Sequence, residues 1–229
     1  MTLASSILNP PIKAILGTFL KVDDREVARI PMRGPLILAT NHINSLDAPV
    51  GFSHLHPRPL TAFVKVETWE NPFLKFLFDA WEAIPIRRGE VDFEAFHLAE
   101  EALANQKIVI VAPEGTRSRH GRLNQGYPGI VLLAMRTGAP ILPVVFYGNE
   151  NLKIRLAKRT SMTIKVGEPF NLNTKGAALS REVRKQMTDE IMFEIARLLP
   201  EENRGVYADL SQTRREYLSF HQQPNAAAW

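Results

Sequence analysis

Apolar and polar residues along the chain follow two different periods, and segments of one kind alternate with segments of the other. Residues 27–30 and 161–166 alternate apolar with polar, which indicates strands with one exposed face. Short apolar runs bounded by turn residues, the pattern of buried strands, occupy 36–40, 60–65, 83–86, 107–112 and 141–147. Helical segments separate most of these runs. This order predicts an α/β fold with a central mixed, largely parallel sheet flanked by helices.

The helices are indicated by apolar residues three or four positions apart and by signals at their ends. Asn71 and Pro72 form a typical N-cap and first-turn pair, Asp92 and Ser180 are further N-cap candidates, and Gly138 is a stop signal. The predicted helices span 12–20, 47–55, 71–81, 92–105, 130–137 and 180–199.

The length of 229 residues is sufficient for one domain with a sizeable core. We therefore expect a single domain over residues 1–229. Residues 1–25 are expected to form a helical segment that either packs on the core or contacts a membrane, and residues 203–229 an irregular C-terminal tail. A membrane-spanning helix needs about 18 consecutive apolar residues, and no apolar run in the sequence is that long. The N-terminus lacks the pattern of a signal peptide.

Composition and missing motifs narrow the function. The chain has no cysteine, which excludes a thiol nucleophile, disulfides and cysteine-ligated metals. Motifs for a P-loop, dinucleotide binding, a nucleophile elbow and a zinc protease are absent. His54 and His56 lack a third candidate ligand, so we predict a surface loop there and no metal site. The net charge of +4 favours an anionic partner, but no basic run interleaved with aromatics supports nucleic acid.

The stretch PLILATNHINSLD, residues 35–47, combines a buried strand with two groups that suit proton transfer. His42 follows the strand, and Pro49 places the next helix start near Asp47. A turn between them lets the Asp47 carboxylate bind one nitrogen of His42 and leave the other free to accept a proton. The alternative is a His and an Asp that merely end a strand and cap a helix.

A second polar cluster follows the strand at 107–112. In Glu114-Gly115-Thr116-Arg117-Ser118, glycine permits close approach of a ligand, and the hydroxyls and the guanidinium suit phosphate. Arg88 follows another strand and adds a second cation. The alternative is a solvated turn with an outward arginine.

Four blocks in this order resemble those of the glycerolipid acyltransferases, most closely the bacterial 1-acyl-glycerol-3-phosphate type. They are N-H-x4-D at 41–47, an arginine after I-P-I at 84–88, E-G-T-R-S at 114–118 and I-L-P-V at 141–144. Lys65 in FVKVE also resembles a lysine of that family. The resemblance covers roughly residues 30–170.

The resemblance implies transfer of a fatty acyl group from acyl-CoA or acyl carrier protein to the hydroxyl of 1-acyl-glycerol 3-phosphate, giving phosphatidic acid. His42 would be the general base and Asp47 its orienting partner, with no metal and no cofactor beyond the acyl donor. Backbone amides near the helix start after His42 are the expected oxyanion donors. The expected substrate-binding residues are Lys65, Arg88, Glu114, Gly115, Thr116 and Arg117, with Pro143 shaping the site from behind.

Basic charge and the aromatic helix 71–81 together favour a cytoplasmic enzyme held peripherally on the anionic inner face of the cell membrane. Two other functions stay open. The acceptor could be glycerol 3-phosphate, an acylated amino acid or a glycolipid, although an arginine pair favours a phosphate. A non-catalytic lipid-binding protein of the same fold is the other possibility, and the intact His42 and Asp47 argue against it.

Overall fold

The computed structural model describes residues 2–89, 91–118, 120–150 and 159–220. These residues contain one sheet of nine strands. The strands are β1 Leu20–Asp23, β2 Leu36–Ala39, β3 Leu60–Lys65, β4 Ile84–Ile86, β5 Ile108–Val111, β6 Ile141–Tyr147, β7 Thr160–Val166, β8 Phe170–Leu172 and β9 Leu218–Phe220.

The sheet is mixed and largely parallel, as predicted. Its main path runs β1-β7-β6-β2-β5-β3-β4, and β8 joins it beside β6 and carries β9. The four strands β2, β5, β3 and β4 are mutually parallel, and β6 is parallel to β2. The antiparallel pairs are β6–β7, β6–β8 and β8–β9. The carboxyl ends of the central strands therefore meet at one edge, where open α/β sheets bind ligands.

Six α-helices among the described residues cover the two faces of the sheet. They are α1 Leu3–Phe19, α2 Asp47–His54, α3 Pro72–Ala80, α4 Phe93–Ala104, α5 Gly129–Thr137 and α6 Arg181–Leu198. Alternate residues of β2 enter different cores: Leu36 and Leu38 pack with α1, α2 and Trp81, whereas Ile37 and Ala39 pack with α4, α5 and α6. The period of two along a strand thus builds a three-layer arrangement.

The helix-end signals act as predicted. The Asn71 side chain accepts hydrogen bonds from the backbone N–H groups of Phe73 and Leu74 at 3.0 and 3.1 Å. Asp92 accepts from Ala95, and Ser180 accepts from Val183. Gly138 ends α5 with a left-handed φ of 66°, a conformation that glycine adopts without strain.

The strand predicted at 27–30 is wrong. Arg25–Arg29 is a 3-10 helix, and the first strand is β1. Val27 and Ile30 are both buried, and this spacing of three matches one 3-10 turn as well as it matches interrupted alternation. Three short strands, β1, β8 and β9, were not predicted.

The described residues near both ends contain more regular structure than expected. Helix α1 begins at Leu3 rather than at residue 12 and continues through Pro10 and Pro11. Both prolines lie on the exposed side of the helix. Water can therefore donate to the carbonyl groups that the missing proline N–H groups leave unpaired. Between residues 203 and 220 the tail contains short 3-10 turns and β9, so it is not irregular there. Residues 221–229 lie outside the described part of the chain.

Candidate active site

His42 and Asp47 face each other across the turn between β2 and α2. The His42 Nδ1 atom lies 2.8 Å from Asp47 Oδ2. Helix α2 begins at Asp47, as predicted from Pro49. The turn therefore brings together two residues that a continuous helix would point to different faces.

The Asp47 carboxylate is held in place by the backbone of the same turn. Its Oδ2 atom accepts hydrogen bonds from the N–H groups of Ile43 at 2.7 Å and Asn44 at 2.9 Å. Asp47 is buried, whereas the His42 side chain is 23% exposed. A carboxylate accepts, so Nδ1 of His42 donates to it, and Nε2 is left with a lone pair that can accept a proton.

The backbone amides after His42, which were expected to bind an oxyanion, have other hydrogen-bond partners. Those of Ile43 and Asn44 donate to Asp47, and that of Leu46 donates to the Asn44 side chain at 2.9 Å. These three N–H groups stabilise the turn itself.

Glu114 does not face the solvent side of the site, where a substrate would bind. It is 1% exposed. Its Oε1 accepts from the backbone N–H of His42 at 3.1 Å, and its Oε2 accepts from the backbone N–H and side-chain amide of Asn124 at 2.9 and 3.1 Å. Burial raises the pKa of this carboxyl above its ordinary value. The expected phosphate contact is therefore replaced by a link between His42 and the loop that contains Asn124.

The rest of the E-G-T-R-S turn is open to solvent. Gly115, Thr116 and Arg117 are exposed, and Gly115 has a left-handed φ of 65°. Ser118 is buried, and its N–H donates to the carbonyl of His42 at 2.8 Å. Glu114 and Ser118 thus attach both sides of the turn to His42, which places the three exposed residues beside the histidine.

Arg88 follows β4 and Arg117 follows β5, and the two are near enough for their charges to repel each other. Partial desolvation and the nearby Arg117 both lower the pKa of Arg88. Glu67 lies near Arg88 and forms an ion pair of 2.9 Å with the exposed Lys65. We call Lys65, Arg88 and Arg117 the cationic rim.

Arg87 has a different environment from Arg88. Its backbone N–H donates to Asp92 Oδ2 at 2.9 Å, and its guanidinium lies 3.7 Å from the same carboxylate oxygen. The two adjacent arginines thus have different neighbours. Arg87 lies against Asp92, whereas Arg88, the one chosen from the sequence, is near the charge of Arg117.

Pro143 lies inside the sheet. It is buried in β6 and pairs with Ala39 of β2. Its ring is close to Gly167, where an added Cβ would come within 3.3 Å of it. A supporting place behind the site fits this position better than a substrate contact.

Two asparagines that sequence reasoning missed secure the turn. Asn41 exchanges two hydrogen bonds with the backbone of Phe146, of 2.8 and 2.9 Å, and so fastens the end of β2 to β6. Asn149 is fully buried, and its amide nitrogen lies 3.5 Å from Asp47 Oδ1. Asn41 is next to His42 in the sequence, and this proximity was a signal by which it could have been found. Asn149 is distant from His42 in the sequence, and no sequence pattern indicated its role.

The remaining histidine prediction needs correction. His54 is buried at the end of α2, with Nδ1 3.2 Å from the carbonyl of Val50, and does not lie on a surface loop. Within the described ranges, no three histidine, cysteine, aspartate or glutamate side chains are placed to hold a metal ion.

A family model described as Acyltransferase matches residues 21–147, which is more than half of the chain. The chain belongs to this acyltransferase family. The matched segment contains His42, Asp47, the cationic rim and the E-G-T-R-S turn.

Two curated relatives of this acyltransferase bear related names. A 1-acyl-sn-glycerol-3-phosphate acyltransferase of Borreliella burgdorferi is 27% identical over 128 residues, covering 55% of this chain and 51% of the relative. A chloroplastic 1-acyl-sn-glycerol-3-phosphate acyltransferase of Brassica napus is 24% identical over 138 residues, covering 58% of this chain and 39% of the relative. The matched region therefore spans about half or less of each relative.

A solved structure supports the fold. The crystal structure of the 1-acyl-sn-glycerophosphate acyltransferase of Thermotoga maritima superposes with a TM-score of 0.61 at 23% identity, covering 82% of this chain and 76% of that one. Among the described residues, no helix has both the length and the apolar character needed to cross a bilayer.

Proposed function

We propose that this acyltransferase moves a fatty acyl group from an acyl thioester, on CoA or acyl carrier protein, to the free hydroxyl of 1-acyl-glycerol 3-phosphate, giving phosphatidic acid. The observation that carries the proposal is the His42–Asp47 pair, with a partly exposed imidazole on a residue whose backbone is hydrogen-bonded to the turn containing Arg117. Family membership and the names of the two curated relatives support the same reaction.

The proposed reaction needs one proton acceptor and no covalent enzyme intermediate, because a thioester is already activated. Nε2 of His42 removes the proton of the acceptor hydroxyl as its oxygen attacks the thioester carbonyl. The tetrahedral intermediate then collapses, the C–S bond breaks, and the thiolate takes the proton from Nε2. Asp47 stabilises the imidazolium that exists between the two transfers. General base catalysis of this kind contributes about 10²–10⁴-fold.

The proposed acceptor site is the exposed part of the edge around His42. Arg88 and Arg117 provide guanidinium groups that match a phosphate, and Thr116 and Gly115 supply a hydroxyl and an unobstructed backbone. Lys65 adds charge nearby while paired with Glu67. An acceptor without a phosphate would leave the two arginines repelling each other, which favours the phosphate-bearing lipid.

The first experiment measures transfer from palmitoyl-CoA and from palmitoyl carrier protein to 1-acyl-glycerol 3-phosphate. Wild type is compared with His42→Ala and with His97→Ala, which removes an exposed histidine on α4 that pairs with Glu101. We expect the diacyl product from wild type and from His97→Ala and not from His42→Ala. Slow His42-dependent hydrolysis of both donors without transfer would contradict the acceptor. No reaction of either thioester would contradict the enzymatic function.

We further propose that the protein works at the cytoplasmic face of an anionic membrane. Phe73 and Phe76 on α3 are 72% and 58% exposed. Helix α1 also presents apolar residues outward, Leu3, Ile7 and Ile15, while its polar Ser5 and Asn9 are buried. An apolar surface of this kind with a net positive charge suits a lipid surface, since two weak signals together hold a protein there.

Liposome flotation tests the membrane proposal. Wild type should float with vesicles that contain anionic lipid, and the double variant Phe73→Ser, Phe76→Ser should float less. Met32→Ser, which removes an exposed apolar residue outside α1 and α3, is the matched control. Wild type that stays in solution with every vesicle would contradict the proposal.

A further inference from the structure

The loop after the E-G-T-R-S turn is held by a segment near the C-terminus. We call residues 203–207 the C-terminal brace. The N–H of Leu123 donates to the carbonyl of Asn203 at 3.0 Å, and the N–H of Val206 donates to the carbonyl of Leu123 at 3.2 Å. The Asn203 side chain also donates to the carbonyl of Gly121 at 2.7 Å. Brace and loop are thus paired along their backbones.

Tyr207 adds a second attachment at the far end of the loop. Its buried hydroxyl donates to Asp189 of α6 at 3.0 Å and accepts from the backbone N–H of Gly126 at 3.1 Å. Gln125 donates to both the hydroxyl and the Asp189 carboxylate, at 3.1 and 2.9 Å. Burial and the adjacent Asp189 raise the pKa of Tyr207, so its hydroxyl stays protonated and keeps donating to Asp189.

Two glycines permit close approaches here, one between the brace and the loop and one between the loop and α6. A Cβ at Gly205 would lie 2.0 Å from the carbonyl oxygen of Leu123, and one at Gly126 would lie 2.7 Å from Met192 of α6. Gly205 also has a left-handed φ of 54°. Such contacts leave the loop little freedom to move.

The braced loop contains Asn124, which holds Glu114. Asn124 donates twice to one oxygen of Glu114, and the other oxygen accepts from the backbone N–H of His42. Hydrogen bonds therefore link Tyr207 and Asn203 to the loop, the backbone of the loop leads to Asn124, and hydrogen bonds through Glu114 lead on to the residue that would act as base.

We propose that Tyr207 and Asn203 are positioning residues for His42, acting through Asn124 and Glu114. The proposal rests on the proposed acyl transfer for its kinetic consequences, but the placement of His42 can be measured without it. The brace lies outside residues 21–147, the part matched by the family model. This positioning role thus belongs to a part of the chain that the shared blocks do not include.

The kinetic test compares Tyr207→Phe with Arg215→Gln. Arg215 fastens the same tail to the same helix through Glu194, with two contacts of 2.7 and 2.9 Å, but among the described residues no such route leads from it to the loop. Both variants should lower the melting temperature. Only Tyr207→Phe should also lower kcat, by about tenfold with little change in KM, because small misplacements of a reacting group slow chemistry more than binding. Equal kcat in the two variants would overturn the proposal.

The coupling test adds Asn124→Ala. If Tyr207 acts through Asn124, the double variant should lose less activity than the product of the single losses, whereas independent sites would give the full product. In parallel, the backbone amide signal of His42 in an NMR spectrum should shift in Tyr207→Phe and not in Arg215→Gln. An unmoved signal would contradict the proposal even if wild type proved inactive in acyl transfer, and a shifted signal with an inactive wild type would contradict the proposed function alone.

Discussion

The hydrogen-bonded cluster of His42, Asp47 and Glu114 and the cationic rim of Lys65, Arg88 and Arg117 occupy the same edge of the sheet but are built differently. Both carboxylates of the cluster accept backbone N–H groups, and the two contacts of its histidine are 2.8 and 3.1 Å long. The side chains of the rim are exposed to water.

This difference separates the roles of the two regions. A cluster whose carboxylates are held by backbone N–H groups has little reorganisation left to undergo when a reaction occurs. Long exposed cations gain order when an anion binds, which makes them better suited to affinity and to salt-sensitive attraction. We therefore expect changes in the cluster to affect kcat and changes in the rim to affect KM.

The largest effect is expected from Asp47→Asn. The amide oxygen of the new side chain can still accept from Ile43, Asn44 and His42, but a neutral amide does not stabilise the imidazolium as a carboxylate does, so kcat should fall by about 10²–10⁴-fold. Asp92→Asn is the matched control, because Asp92 also accepts backbone N–H groups at a helix start but touches no histidine. Steady-state kinetics should separate the two variants, and a similar kcat in both would remove the distinction.

Glu114→Gln should affect the cluster less. Both oxygens of Glu114 accept hydrogen bonds, so the NH2 group of a glutamine would face either the N–H of His42 or the donors of Asn124. A buried donor left without a partner costs about 1–3 kcal/mol. Denaturant unfolding should show a loss of that size. Because the backbone of His42 is one of the partners, kcat should also fall; an unchanged kcat with reduced stability would restrict Glu114 to a folding role.

Within the rim, Arg88→Gln should raise the KM for the lipid acceptor. Loss of a hydrogen bond to a charged group costs about 1.5–3 kcal/mol, or about 10–100-fold in KM. Arg87→Gln is the matched control, since Arg87 lies against Asp92. The effect should shrink as salt is added. Equal KM values for the two variants would remove Arg88 from the acceptor site.

The smallest effect lies outside both regions, at His54. Burial, and next the charge of Lys13, lower the pKa of His54, while Asp24 opposes them. Its folded pKa lies below its unfolded value of about 6.5, so the unfolded state binds the proton more readily and stability falls as the pH drops below about 6.5. His54→Gln should flatten the pH dependence of the melting temperature between about pH 7.5 and 5.5. Identical slopes would contradict this assignment.

Local sequence patterns were sufficient to predict much of the fold and, in the candidate site, the contact between His42 and Asp47. Buried strands such as 141–147 and caps such as Asn71 depend on neighbours in the chain, so their patterns are visible in the sequence. The same is true of His42 and Asp47, which are five residues apart and meet across one turn. The 3-10 helix at Arg25–Arg29 was missed because two buried residues three apart fit more than one local structure.

The tertiary structure decided what each polar residue does. Glu114 looked like a ligand for substrate in the sequence, but burial and contacts with His42 and Asn124 direct it inward. Arg88 and Arg87 are adjacent in the sequence, yet their surroundings differ. The charge of Arg117 acts on Arg88, whereas Arg87 forms an ion pair with Asp92. Tyr207, far along the chain, contacts the loop that contains Asn124. Sequence patterns record local preference, whereas hydrogen bonds between distant segments exist only once the sheet has placed those segments together.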